Sequence, residues 1–133
     1  MINRTLAALA VAALLSACAT TATPELQAEV ARTVPKCSTK AECDAKWDAA
    51  QVWVVQHAGF RLQTTTNVVI QTFGPSTSTG DSTRLAMQVL REQTSDGRWQ
   101  IRALATCGNP FGCTPEIWPT LLQFNRAIGA VQP

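Results

Sequence analysis

The stretch RLAMQVLREQTSDGRWQIRALA, residues 84–105, decides the fold. Leu85, Met87 and Val89 alternate with Ala86, Gln88 and Leu90. After the interruption, Trp99, Ile101, Ala103 and Ala105 alternate with Gln100, Arg102 and Leu104. A period of two sends successive side chains to opposite faces of a strand. Asp96-Gly97 lies between the runs, and such a pair is a strong hairpin signal because glycine takes the positive φ that tight turns need. The spacing therefore predicts two antiparallel strands, over 84–92 and 99–105, each with one apolar face.

Working back toward the N-terminus, Phe60–Thr65 alternates and Val68–Phe73 is rich in β-branched residues, with Thr66-Asn67 as the turn between them. Gly74-Pro75 closes that strand and opens a Gly/Ser/Thr/Pro loop through residue 83. Before the strands, Thr39-Lys40-Ala41-Glu42 has the form of a capping box. It starts a helix over 40–58, with Gly59 expected as its left-handed stop. Cys43, Trp47, Ala50 and Val54 form the buried stripe of that helix. After the strands, Thr114-Pro115-Glu116 reads as a helix start, with Pro119 as an obstacle that defers regular helix to Thr120. Ile117, Leu121, Phe124 and Ile128 form its apolar stripe and Gly129 its end.

Four strands in hairpin order and two one-sided helices predict an α+β, two-layer sandwich. It is a four-stranded antiparallel meander with an N-terminal and a C-terminal helix packed on one face. The expected core is Trp47, Val54, Phe60, Leu62, Val68, Ile70, Leu85, Met87, Val89, Trp99, Ile101, Leu121, Phe124 and Ile128. The opposite face carries Arg61, Gln63, Gln71, Gln88, Gln100 and Arg102, with Phe73 and Leu90 among them. Antiparallel sheets commonly leave one face to water.

The N-terminus follows a different logic. Arg4 precedes an apolar run from Thr5 to Leu15. At about 1.5 Å per residue this run falls well short of a hydrocarbon core of roughly 30 Å. A charged start and a short apolar segment describe a secretory signal. Leu15-Ser16-Ala17-Cys18 then resembles the lipobox of bacterial lipoproteins. That resemblance covers residues 1–18 and implies cleavage before Cys18, acyl chains on Cys18 and attachment to a membrane; two or more chains hold stably where one does not. The Ala at position 19, where an Asp would favour the inner membrane, points by similarity to the periplasmic face of the outer membrane of a Gram-negative cell. The remainder is similar to small envelope lipoproteins of such bacteria, a resemblance that carries no functional residue with it. The expected organisation is a signal peptide over 1–17, a lipidated Cys and flexible tether over 18–36, and one globular domain over 37–133.

Besides Cys18 there are four cysteines, Cys37, Cys43, Cys107 and Cys113. They allow three pairings. The spacing favours the local disulfides Cys37–Cys43 and Cys107–Cys113, with cross-linking of the two units as the alternative. Neither unit has the C-x-x-C spacing of a redox or zinc motif, so no metal and no cofactor are expected. Exported small domains use such bridges as staples.

In 133 residues, 46% of them apolar, Lys+Arg number 11 and Asp+Glu 9. That size excludes a multidomain enzyme, and so even a charge balance excludes an electrostatic footprint for nucleic acid. His57 is the single histidine and has no nucleophile motif to serve. Asp44 and Asp48 share a helix face but are too few for calcium. Two features carry the functional expectation. One is the Arg/Gln face of the sheet, suited to a glycan or an envelope protein. The other is the loop with Asn109 and Phe111, which either presents Phe111 or tucks it against the core. The expected function is a non-catalytic binding module of the periplasm, with a structural or assembly accessory of the outer membrane as the alternative and a hydrolase behind both.

Overall fold

The computed structural model describes residues 22–75 and 83–133. The expected signal segment and Cys18 lie outside the described residues. Strands β4 (Ala86–Gln93) and β5 (Trp99–Thr106) form the expected hairpin, in register from Ala86↔Thr106 to Gln93↔Trp99. Gly97 holds φ +84°, and the Asp96 carboxylate accepts from the Arg98 backbone N–H at 3.2 Å and from its guanidinium at 2.8 Å. Strand β3 (Val69–Thr72) pairs with β4, and β2 (Leu62–Thr65) pairs with β3 across an irregularity between Leu62 and Thr64.

The helices close over one face. Helix α2 (Lys40–His57) starts at the Thr39 cap, whose hydroxyl accepts from the Glu42 N–H at 3.2 Å. Glu42 reaches back to the Ser38 N–H at 3.0 Å. Cys43, Trp47, Ala50 and Val54 are all buried, as the stripe predicts. Trp53 joins them, edge-on to Phe124. Helix α3 (Ile117–Gly129) supplies Leu121, Leu122, Phe124 and Ile128. Both pack on the sheet face that carries Ile70, Met87, Val89, Ile101 and Ala103. Both local disulfides are formed, Cys37–Cys43 and Cys107–Cys113, with Cα separations of 5.2 and 5.9 Å.

The class is α+β as expected, but the described residues form a five-stranded sheet and three helices. The additional elements lie where a tether over residues 18–36 is expected. Helix α1 (Pro24–Arg32) is capped by the Thr23 hydroxyl, and strand β1 (Lys36–Cys37) pairs with Gln100 and Trp99 at the edge of β5. The strand order is β1-β5-β4-β3-β2, antiparallel throughout. Helix α1 packs chiefly on α3, with Leu26 and Val30 against the core. Its C-terminal carbonyls are read by a side chain of α3: buried Asn125 donates to the Val30 carbonyl at 2.8 Å and the Thr33 hydroxyl at 3.2 Å. Arg126 pairs with Glu29 at 2.7 Å. The described part of the supposed tether, residues 22–36, thus belongs to the folded domain.

Other expectations are corrected locally. Val68 is half exposed because it sits in the turn, where its N–H and that of Val69 donate to the Thr66 hydroxyl at 3.2 and 3.0 Å. Phe60 and Trp99 lie half-buried rather than in the core. Gly59 is no left-handed stop: α2 ends through an extended Ala58, and Gly59 is needed because β4 begins against it. Its N–H donates to the Leu85 carbonyl at 2.8 Å, and a Cβ there would lie 2.7 Å from the Arg84 Cβ. Helix α3 starts at Ile117 with Glu116 as its cap residue, after a cis Thr114-Pro115 bond. Pro119 is harmless because it falls in the first turn, whose N–H groups have no intrahelical acceptor.

Candidate functional site

The ladder register assigns each residue of the sheet face opposite the helices. Gln71, Gln88 and Leu104 form one cross-strand row; Val69, Leu90 and Arg102 the next; Glu92, Gln100 and Lys36 the third. These side chains share a parity opposite to Ile70, Val89 and Ala103 and are exposed or half-exposed. Gln88 donates to the Gln71 side-chain oxygen at 3.4 Å, and Arg102 to Glu92 at 2.6 Å. The sheet therefore brings Gln71, Gln88, Gln100 and Arg102 together, as parity predicts. Arg61 extends this face, its carbonyl accepting from the Phe73 N–H at 2.9 Å. Gln63 lies in the irregularity of β2, exposed. Leu104 and Phe73 are exposed apolar residues among these polar groups. A shallow depression of about 270 Å³ between Gln71, Gln88, Leu104, Gly74 and Thr106 marks one end of the face.

The disulfide loop presents its aromatic. Phe111 is 94% exposed, which decides between presentation and tucking. Its N–H donates to the Asn109 side-chain oxygen at 2.8 Å, a local turn that shapes the loop without reference to the core. The loop borders a groove of about 790 Å³ together with the first turns of α1 and α3.

A third feature was missed by sequence reasoning. A polar cleft of about 680 Å³ opens between the first half of α2 and the ends of the hairpins, with Asp44, Asp48, Gln51, Asn67, Arg91 and Trp99 on its walls. Arg91 bridges the layers: its guanidinium donates to Asp44 at 3.1 Å and lies over the Trp99 ring, 5.8 Å from the centroid. Lys40 also hydrogen-bonds Asp44. These two cations, Lys40 first, hold the Asp44 carboxyl below the usual carboxylate range. The signal was present, because Arg91 continues the inward parity of Met87 and Val89. A charge at an inward position at the end of a strand marks where the core gives way to a polar edge.

His57 stacks on Trp53 at 4.0 Å between centroids, and its Nδ1 lies 2.8 Å from the Trp53 carbonyl oxygen. Among the described residues, no three of His, Cys, Asp and Glu are gathered to hold a metal ion. No helix among them is long and apolar enough to cross a membrane. Searches of known protein families, curated proteins and solved structures return no match to the chain.

Proposed function

We propose that this protein is a membrane-anchored envelope lipoprotein, held at the periplasmic side of the outer membrane by acyl chains on Cys18. It acts there as a non-catalytic binding module. The observation that carries the binding role is the sheet face opposite the helices: three cross-strand rows bearing amide, guanidinium, carboxylate and ammonium groups, with Leu104, Leu90 and Val69 among them and exposed Phe73 beside them, and with no helix over it among the described residues. Polar groups held on a rigid sheet with a few apolar anchors match the anatomy of a non-obligate protein interface. An envelope protein is therefore the preferred partner. The cleft with Trp99, Arg91 and Asn67 favours a second reading, a glycan stacked on the indole and hydrogen-bonded by the planar polar groups.

Two experiments test this. Cys18→Ser should release the protein from the membrane fraction or leave it unprocessed; retention after a high-salt wash would defeat the anchor. A photo-crosslinking residue at Gln88 or Gln100 in the full chain should yield a discrete protein adduct in cells. Arg102→Ala and Leu104→Ala should abolish that adduct at unchanged melting temperature. An adduct formed instead from the exposed outer side of α2, at Val52 or Val55, would place the partner elsewhere.

A further inference from the structure

We propose that the end of the molecule carrying Phe111 is a bilayer-docking surface, which holds the domain down on the membrane to which Cys18 anchors it. This inference rests on the lipoprotein reading and adds the orientation of the domain to it. Three observations converge. Phe111 stands almost fully exposed on a loop closed by Cys107–Cys113 and shaped by its own Asn109 turn. Leu26, Ile117, Trp118 and Pro119 line the groove beside it, so the apolar surface continues from the loop onto the starts of α1 and α3. Ala22 lines the same groove. Cys18 precedes Ala22 by four residues in the sequence. Whatever conformation those residues take, they span at most about 14 Å.

The lipid-bearing residue is therefore confined near this one end. Folding α1 into the domain is what shortens the connection; a tether reaching residue 36 would have left the domain free to turn. Confinement at such short range gives the groove a high effective concentration of bilayer, so weak intrinsic affinity suffices for docking. The chemistry of the rim fits a lipid interface. Phenylalanine and tryptophan supply apolar area, and indole is at home at headgroup depth. Among the described groove residues there is one carboxylate, Glu116, and no Lys or Arg. Apolar burial rather than attraction to anionic headgroups then drives the contact, so it is insensitive to salt.

The test uses the full chain, expressed with its signal, purified and reconstituted into vesicles of phosphatidylethanolamine with a minor share of phosphatidylglycerol. p-Benzoylphenylalanine replaces Phe111 in one sample and Phe73, on the open sheet face, in another. Mass spectrometry of the N-terminal peptide reports acylation of Cys18 independently. The expected result is a lipid adduct at position 111, none at 73, and a yield at 111 unchanged from low to high salt. Acylated protein with no lipid adduct at 111, with equal adducts at both positions, or with a covalent dimer through 111 overturns the docking surface and leaves the anchor standing. An unmodified Cys18 overturns the anchor and the docking surface with it. Phe111→Ser should keep the melting temperature of the parent and expose residues 22–27 and 113–119 to hydrogen exchange on vesicles. Unchanged protection in that variant also refutes the proposal.

Discussion

Lys46 offers the sharpest test of how the two helices over the sheet are held together. Its side chain is 3% exposed, on the buried side of α2 beside Trp47. The ammonium donates to the carbonyls of Val131 at 2.8 Å, Gly129 at 3.0 Å and Ile128 at 3.4 Å, with Glu42 at 3.8 Å. The last carbonyls of a helix have no intrahelical donor, and a cation there also meets the negative end of the helix dipole. Lys46→Met keeps most of the length and the apolar character of the stem but removes all three donors. Hydrogen bonds to a charged group contribute about 1.5–3 kcal/mol each, and they are not additive at one ammonium. The residues after α3 lie near solvent, so water recovers part of the loss. The expected cost is about 3 kcal/mol, or roughly 12–15 °C in melting temperature at about 4–5 °C per kcal/mol for a domain of this size. Urea unfolding should show a lower midpoint at unchanged slope, and hydrogen exchange should rise at the end of α3. A cost below about 1 kcal/mol with α3 still protected would show that Lys46 does not hold the helix end, and the docking of α3 on α2 would need another explanation.

Other outcomes can be checked together. Gly97→Ala should cost about 1–2 kcal/mol through its left-handed φ and Gly59→Ala about 1–3 kcal/mol through contact with Arg84 and Leu85; Asn should be tolerated at 97 but not at 59, measured by chemical denaturation. Trp47→Ala should cost about 3–5 kcal/mol, whereas Arg61→Ala should stay within about 0.5 kcal/mol; equal costs would mean that the Arg61 face is covered. Thr94 and Arg98 hold Asp96 well below its ordinary value, and Lys40 and Arg91 hold Asp44 below its own. Depressed carboxylates stabilise the fold above about pH 4, and that stability is lost as pH falls through their folded values. The melting temperature should therefore decline below about pH 4, and by less in Asp96→Asn, which lacks one of the two groups; parallel declines would deny the linkage.

What could be read in the sequence follows from whether the partner of a residue is near it in the chain. The β4–β5 hairpin was legible because alternation and the Asp96-Gly97 turn are local. The stripe of α2 was legible because Trp47 and Val54 recur at helical spacing. Both disulfides were legible because each bridges a short loop. Helix α1 was not, because Leu26 and Val30 alone make a poor stripe and its closing partner, Asn125, lies 95 residues from Val30. The role of Lys46 is hidden from the sequence for the same reason, since its acceptors are more than 80 residues away. On the open face, parity placed Gln71, Gln88, Gln100 and Arg102 together but could not show that Arg102 already has Glu92. The cleft escaped because its walls come from α2, the β2–β3 turn and the far ends of β4 and β5.

The two proposed surfaces constrain one another through β5. The disulfide loop follows directly from Thr106, while Trp99 and Gln100 stand at the other end of the strand and Arg102 at its middle. Seven steps of about 3.3 Å separate those ends by roughly 23 Å. If Phe111 rests on the bilayer, the Asp96-Gly97 turn, the Trp99 cleft and the Glu92–Gln100 row lie at the end of the strand remote from the loop. Headgroups near Phe111 then leave the Gln100 end of the open face accessible to a partner in the periplasm. The order of accessibility along β5 becomes a consequence of the anchor: a crosslinker should find protein from Gln100 more readily than from Thr106, and lipid only beyond it. Reversal of that gradient would mean that the anchored chain leaves the domain at the wrong end for this arrangement, and the role of α1 in orienting the domain would fail with it.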